Sequence, residues 1–251
     1  MINSVVNFRD VSGYINTEGK EIIPGRIFRG GSLDDITSPE ISSFYKDLNI
    51  KNIIDFRGEN EVLDKPDPEI PGTEHYHLNA LKNIKGFDGF DFGHILGTNP
   101  SDELINKAYD YLLAGYESMP IDNLAFKKAF DILLENNGST YIHCSAGKDR
   151  TGLLVYLLMR ALGFSHEDGL SEYLKSNEYI NLGFDAYIEK LGIASEKLEL
   201  YKPLLFVNET FLNKAMDRIK AKYSNLEDYF LNELNLDEQK LLRLKSYYLN
   251  D

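Results

Sequence analysis

The sequence predicts an α/β fold in which a central, mostly parallel sheet is flanked by helices and the C-terminal third is helical. Short β-branched runs alternate with amphipathic helical segments through much of the 251 residues. The segment 151–162 is apolar almost all round, which indicates a buried central helix. From 165 to 249 the apolar residues recur mainly at helical spacing. Because the chain shows no repeat and no linker, we expect a single domain over 1–251.

The predicted strands are short and bounded by turn residues. The run 51–56 is β-branched and ends in charge, which is typical of a buried parallel strand. The segment 74–81 alternates only weakly. The full set of predicted strands is 4–8, 26–29, 51–56, 74–81 and 140–143.

The predicted helices have recognisable capping residues. The first is expected to begin with Ser38 as N-cap and Pro39 at the first helical position. Two further helices are predicted over 102–116 and 124–136, and Gly138 ends the second. Before them lies a long glycine-rich segment, 82–101, that has no clear period and is predicted to be an irregular loop.

Composition limits the classes of function. The net charge of −13, from 40 acidic and 27 basic residues, disfavours nucleic acid as a partner. No stretch approaches the roughly 18 apolar residues of a membrane span, and no secretory pattern opens the chain. We therefore expect a cytoplasmic monomer. A secreted protein whose signal peptide has been removed is the alternative.

The chain has one cysteine, Cys144, so neither an internal disulfide nor a thiolate zinc cluster can form. A lone cysteine is usually a buried small hydrophobe, and its surroundings decide whether it is reactive. Five residues separate Cys144 from Arg150, and the pair lies between a predicted strand and the predicted buried helix.

The loop from Cys144 to Arg150 combines three features that suit a phosphate ester. Its small residues Ser145, Ala146 and Gly147 allow successive amides to point inward, beside a helix N-terminus. Arg150 supplies a planar fork for two phosphate oxygens. Such positive surroundings lower the pKa of a cysteine thiol from about 8.5 to roughly 3.5–7.5. The pattern therefore predicts an activated nucleophile.

Two neighbouring features have alternative interpretations. Thr151 follows the arginine, and its hydroxyl either hydrogen-bonds the sulfur or only begins the helix. Gly147-Lys148 is compatible with a nucleotide-binding loop, but Ile142 stands where a glycine is needed and Asp149 where Ser or Thr must bind magnesium. The segment thus favours a cysteine phosphatase over a nucleotide-binding protein.

The segment 143–152, His-Cys-x5-Arg-Thr-Gly, resembles the signature of the protein tyrosine phosphatase superfamily. Its Gly-Lys-Asp-Arg portion is similar to the bacterial atypical group with tyrosine/serine or triple specificity, which includes mycobacterial secreted and Listeria lipid/tyrosine phosphatases. The resemblance implies a doubly wound phosphatase fold and a two-step reaction through a phosphocysteine, without a metal or other cofactor. Further segments that resemble the family are 7–13, 25–29, 54–57 with 61–62, 176–179 and 226–243.

The resemblance also assigns roles. Cys144 is the implied nucleophile, and Arg150 with the loop amides is implied to bind phosphate and stabilise the transition state. Arg29 and Arg57, at the ends of central strands, either contact the substrate or form structural ion pairs. The segment 201–223 is either a lid over the pocket, as in relatives, or an ordinary packed helix.

The general acid stays open among several aspartates. Many tyrosine phosphatases use an aspartate of a mobile Trp-Pro-Asp loop, and this chain has no Trp. Asp149 inside the loop is the preferred acid, with Asp55 as its support, and Asp88 or Asp91 is a further option. Lys148 either recognises additional phosphates or pairs with Asp55 or Asp149.

The predicted function is a protein tyrosine phosphatase of broad specificity that acts on phosphotyrosine-containing proteins or peptides. The first alternative is a phosphoinositide phosphatase, and the second is an inactive phospho-binding module. His75 and His77 lie on one face of a predicted strand. They are interpreted as exposed strand histidines rather than a metal pair.

Overall fold

The computed structural model describes residues 2–82, 101–135, 138–184, 188–189 and 197–250. Most of the predicted glycine-rich loop, together with Asp88 and Asp91, lies outside the described residues.

The described residues form a five-stranded sheet in the order β1-β2-β5-β3-β4. β1 pairs with β2 in the antiparallel sense, and the remaining pairs are parallel. Gly30 of β2 and Asp55 of β3 both lie opposite His143 of β5, so three strands end together just before Cys144. The strands are β1 (Arg9–Asp10), β2 (Ile27–Gly30), β3 (Ile50–Asp55), β4 (Glu74–His77) and β5 (Ser139–His143).

Helices pack on both faces of this sheet. In chain order, the helices named here are α1 (Ser38–Lys46), α2 (Glu59–Asp64), α3 (Asp102–Ser118), α4 (Leu124–Glu135), α5 (Arg150–Ala161), α6 (His166–Leu174), α7 (Ser176–Asn181), α8 (Leu198–Leu205), α9 (Glu209–Lys222), α10 (Leu226–Asn232) and α11 (Glu238–Tyr248). None of the described helices combines the length and the apolar character needed to cross a membrane.

The alternation of side chains along β5 separates two hydrophobic cores. Tyr141 belongs to the smaller core with Phe44 of α1, whereas Ile142 belongs to the larger core around α5. Leu153 and Leu157 of α5 are fully buried, and each contributes roughly 1.5–3 kcal/mol through removal of its side chain from water. This burial holds the start of α5, and therefore the end of the loop before it, in one position.

The structure confirms the predicted α/β class with a mostly parallel sheet and a C-terminal part built of helices. The segment 201–223 forms the end of α8 and nearly all of α9. Its residues Tyr201, Phe211 and Leu212 are fully buried in the larger core. These helices are therefore packed, and a lid role for them stays a prediction.

Two local predictions were wrong. Residues 4–8 form turns rather than a strand, because Asn7 adopts a left-handed conformation with φ of 61° and the strand begins only at Arg9. The N-cap of α1 is Thr37 and not Ser38. The Thr37 hydroxyl and backbone amide are bonded to the Glu40 carboxylate in a capping box.

Candidate active site

The predicted phosphate-binding loop joins the carboxyl end of β5 to the amino end of α5. Cys144 directly follows the strand and is 2% exposed. Asp149 is the N-cap residue, and Arg150 is the first residue of the helix. The cysteine therefore lies buried at the end of the strand, close to a helix N-terminus that carries partial positive charge.

Three successive carbonyl groups of the loop are bonded to donors from the N-terminal part of the chain. Because a trans peptide directs its N–H opposite to its C=O, the next three amides point away from these donors. Successive amides on one side of a loop can bind an anion. The bonds run from Ser32 N to Ser145 O at 3.1 Å, from Asn7 Nδ2 to Ala146 O at 3.2 Å and to Gly147 O at 2.9 Å, and from Arg29 Nη2 to Gly147 O at 2.6 Å.

Gly147 is required where the loop approaches β2. Its φ is +63°, and a Cβ added there would lie 2.0 Å from the carbonyl oxygen of Gly30. No other residue fits this combination of left-handed backbone and close approach.

Arg29 supports the loop from behind rather than facing the pocket. Its side chain is fully buried, and its Nη1 lies 2.5 Å from Glu172 Oε2. Glu172 is itself buried and also accepts from Arg9 Nε at 2.8 Å. Burial, together with the Arg29 charge, lowers the pKa of Arg9 to about 10. The position of Arg29 therefore argues against direct contact with the substrate. It agrees with the alternative, in which Arg29 forms a structural ion pair.

Arg150 is held by a carboxylate that the sequence analysis did not select. Glu61 Oε2 and Oε1 lie 2.5 and 2.9 Å from Arg150 Nη1 and Nη2, and Glu61 also accepts from the Ser145 hydroxyl. Burial alone raises the pKa of Glu61, but the Arg150 charge and the hydrogen bonds from Arg150, Ser145 and Gly58 together outweigh it, and the pKa falls to about 2. Burial likewise opposes the charge of Arg150, but the Glu61 carboxylate raises the pKa of Arg150 overall. Glu61 lies in a segment that resembles the family, but no local pattern in the sequence indicates this pairing.

Asp55 is bound to Arg57 rather than to the loop. Arg57 Nη2 lies 2.8 Å from Asp55 Oδ2 and 2.7 Å from Asp67 Oδ2, and Arg57 is 1% exposed. Burial raises the pKa of Asp55, but His143 and Arg57 lower it overall, so this carboxyl is kept ionised. Buried His143, which precedes the cysteine, lies between Asp55 Oδ1 at 3.8 Å and Asp67 Oδ2 at 3.2 Å. Arg57 is therefore poorly placed for the predicted substrate contact.

The same cluster is the best place in the described chain for a metal ion. Ligand atoms of Asp55, Asp67, His75 and His143 all lie within 4.8 Å of one another. However, the Arg57 guanidinium already contacts both carboxylates and would repel a divalent cation, so such an ion fits poorly. His75 and His77 are both exposed on β4, as predicted, and they have different partners. His75 faces Asp67 at 3.4 Å, while the Nε2 of His77 contacts a backbone carbonyl.

The Lys148-Asp149 pair has separate surroundings within the loop. Lys148 is 7% exposed, and its Nζ donates to the carbonyl of Leu204 in α8 at 2.6 Å. The same Nζ lies 3.5 Å from Asp149 Oδ2, so Lys148 pairs with Asp149 rather than Asp55 in the described part of the chain. Asp149 is partly exposed, and its Oδ1 accepts from the hydroxyl of Tyr116 at 2.9 Å.

The remaining loop residues differ in their access to solvent. Ser145 is exposed and Ala146 is partly exposed, whereas Thr151 is fully buried. Among the described residues the Thr151 hydroxyl has no hydrogen-bond partner. Of the two alternatives for Thr151, the bond to the Cys144 sulfur is thus not formed here, which agrees with its role as a residue that begins the helix.

A loop whose amides converge between a cysteine and an arginine, at the end of a central parallel strand, is the architecture of the cysteine-dependent phosphatases. The model of the tyrosine phosphatase family matches residues 1–250 of this sequence. The chain therefore belongs to the tyrosine phosphatase family.

Individual relatives agree with this assignment. A provisionally named tyrosine-protein phosphatase of Cupriavidus necator is 27% identical, and the alignment covers 98% of this chain and 87% of that protein. The triple specificity protein phosphatase PtpB of Mycobacterium tuberculosis is 26% identical, with 97% and 96% covered. These two bacterial relatives confirm the predicted resemblance to the bacterial atypical phosphatases. Among solved structures, the core catalytic domain of the S. cerevisiae PP-IP phosphatase SIW14 with citrate gives a TM-score of 0.38 at 17% identity, over 80% of this chain and 98% of that one.

Proposed function

We propose that this tyrosine phosphatase hydrolyses phosphotyrosyl proteins or peptides with Cys144 as the nucleophile and with Arg150 and the loop amides as the phosphate-binding groups. The observation that carries the proposal is the orientation of the loop. Its carbonyls are bonded on one side, which leaves the amides beside Cys144 available to phosphate oxygens. The Arg150 fork, held in place by Glu61, supplies the remaining positive charge.

The reaction then has two steps. In the first, the Cys144 thiolate forms a bond to phosphorus while the bond from phosphorus to the tyrosyl oxygen breaks, and an acid protonates that oxygen. In the second, a water oxygen attacks phosphorus, the same residue accepts the water proton, and the sulfur–phosphorus bond breaks. The products are the free phenol and inorganic phosphate.

Asp149 is the proposed acid and base, and its surroundings support it over Asp55. Asp149 is partly exposed within the loop. Asp55 is 2% exposed, is bound by Arg57 and has a lowered pKa, so it is a poor proton donor. Asp55 instead supports the site by fixing Arg57 beneath the ends of the strands.

Phosphotyrosine is favoured over phosphoinositide by the position of Lys148. Its ammonium group is buried and bonded to the Leu204 carbonyl, so it must move before it can recognise an additional phosphate. A phosphoinositide phosphatase therefore stays the alternative. The triple specificity named for the M. tuberculosis relative supports the predicted breadth of substrates. A cytoplasmic or secreted location, a monomeric state and a single domain stay predictions from the sequence.

The basic test is turnover of a small aryl phosphate by the wild type and by Cys144→Ser. We expect activity in the wild type and a loss of at least about a thousandfold in the variant, because the hydroxyl is a far weaker nucleophile than a thiolate. Binding of a phosphotyrosyl peptide should persist in Cys144→Ser. A wild-type protein that binds this peptide without any turnover would instead support the phospho-binding module.

The substrate class is tested by comparing a phosphotyrosyl peptide with a soluble short-chain phosphoinositide. We expect the wild type to prefer the peptide, and Lys148→Ala to keep that preference. Lys202→Ala is the matched control, because Lys202 is a half-exposed lysine of α8 that pairs with Glu199. A wild-type preference for the phosphoinositide that disappears only in Lys148→Ala would transfer the assignment to the alternative.

A further inference from the structure

A buried tyrosine contacts the side chain of Asp149, and a second buried tyrosine contacts the first. The hydroxyl of Tyr116, from α3, lies 2.9 Å from Asp149 Oδ1, and the hydroxyl of Tyr173, from α6, lies 2.7 Å from that of Tyr116. Both tyrosines are fully buried, and their rings meet edge to face with centroids 6.3 Å apart. The Tyr116 ring also stacks on that of Phe211, with centroids 5.2 Å apart. Packing therefore fixes the hydroxyl that faces the aspartate.

The number of available protons determines which group donates in each of these hydrogen bonds. Each hydroxyl has one proton, and the carboxylate oxygen can only accept. Tyr116 therefore donates to Asp149 Oδ1, and its own oxygen accepts from Tyr173. Burial, with the nearby Asp149 charge, raises the pKa of both tyrosines well above 10, so both stay neutral donors. Oδ1 thus has a fixed donor, whereas Oδ2 lies 3.5 Å from Lys148 Nζ, beyond the range of a strong hydrogen bond, and remains the oxygen that can carry a proton.

We propose that Tyr116, supported by Tyr173, is a positioning residue that holds the Asp149 carboxyl so that Oδ2 delivers the proton to the leaving group. This inference rests on the proposed function, in which Asp149 is the general acid. Tyr116 acts through the aspartate, since its hydroxyl is enclosed between Asp149 and Tyr173. An acid with the correct orientation is most useful for substrates whose leaving group is a poor one.

The test is the dependence of kcat/KM on the leaving group, measured over aryl phosphates whose phenols span a range of pKa. For phenyl phosphate we expect Asp149→Asn to lose roughly 10²–10⁴-fold, as is typical when an acid is removed. Tyr116→Phe should lose roughly three- to tenfold there, because it removes one neutral hydrogen bond. For the phosphate of a strongly acidic phenol, which needs little protonation, both variants should approach wild type. Tyr173→Phe should show the Tyr116→Phe pattern with a smaller amplitude.

Tyr248→Phe is the matched control. Its hydroxyl is buried and donates to the Leu133 carbonyl at 2.8 Å, so it loses an equivalent bond in another element pair. We expect no leaving-group dependence in this variant. The double variant Tyr116→Phe with Asp149→Asn should behave like Asp149→Asn alone, because the tyrosine has no effect without the acid.

The outcomes separate the two levels of the proposal. A Tyr116→Phe loss that is equal for all leaving groups, or one that adds fully to Asp149→Asn, would show a structural role and overturn the inference while the phosphatase assignment stands. Full activity of Asp149→Asn on phenyl phosphate would remove Asp149 as the acid and the inference with it. A wild type that turns over none of the aryl phosphates would overturn the proposed function itself.

Discussion

Replacing Glu172 by glutamine tests whether the loop depends on a buried charge network. Glu172 lies 2.8 Å from Arg9 Nε and 2.5 Å from Arg29 Nη1, and all three side chains are at most 3% exposed. Removing one partner of a buried pair costs about 3–5 kcal/mol, because the remaining charge is left uncompensated. Glutamine keeps the shape and one acceptor oxygen. We therefore expect a loss near the lower end of that range, about 3 kcal/mol in the free energy of unfolding.

The consequence for the loop follows from the second nitrogen of Arg29. Its Nη2 donates to Gly147 O at 2.6 Å, and this bond helps to turn the peptide between Gly147 and Lys148. When Glu172 no longer orients the guanidinium, this bond weakens and the loop amides lose part of their alignment. We expect kcat/KM for an aryl phosphate to fall by about tenfold. This loss corresponds to about 1.4 kcal/mol, which is a typical free energy for one hydrogen bond.

Urea unfolding followed by circular dichroism measures the effect on stability. With a slope of about 3 kcal/mol/M, a loss of about 3 kcal/mol moves the midpoint by roughly 1 M. Asp217→Asn is the control, because Asp217 is 74% exposed and lies 4.0 Å from Lys220. Exposed pairs contribute at most about 1 kcal/mol. A midpoint shift for Glu172→Gln no larger than that for the control would refute the reasoning.

Two further predictions concern single loop contacts. Gly147→Ala should abolish most activity, because its Cβ would lie 2.0 Å from Gly30 O. Gly72→Ala has a similar positive φ in open space and should retain full activity. Aryl phosphate assays on both variants therefore separate the effect of the clash from that of backbone strain. Since Arg150 lowers the pKa of Glu61 to about 2, the Glu61 contribution to stability is complete above its unfolded pKa of about 4.3 and is lost as the pH falls through about 2. Glu61→Gln should therefore lose less stability than wild type between pH 5 and pH 2, judged by thermal unfolding. Glu59→Gln, on the same helix, should change this acid sensitivity less, because Glu59 is exposed although its pKa is also lowered. Equal acid sensitivity of Glu61→Gln and wild type would contradict this account.

The sequence was informative wherever the chemistry is local. Cys144, Arg150 and the residues between them are consecutive, and the flanking strand and helix are short-range patterns of apolar residues. The fold class and the family could therefore be predicted from the chain alone. Where a prediction needed a backbone conformation, as at Asn7, the hydrophobic pattern was misleading. The left-handed turn there is stabilised by side-chain bonds to a loop about 140 residues away.

The sequence by itself determined that this protein is a phosphatase of the tyrosine phosphatase family and which segment forms its phosphate-binding loop. Only the tertiary structure decided what surrounds that loop. Glu61 on Arg150 and Tyr116 on Asp149 are separated from their partners by 89 and 33 residues. The burial of Arg29 likewise depends on β2 lying beside β5 and α6 lying behind them. The physical reason is that such contacts depend on the order of strands and the packing of helices, which no local spacing of residues encodes.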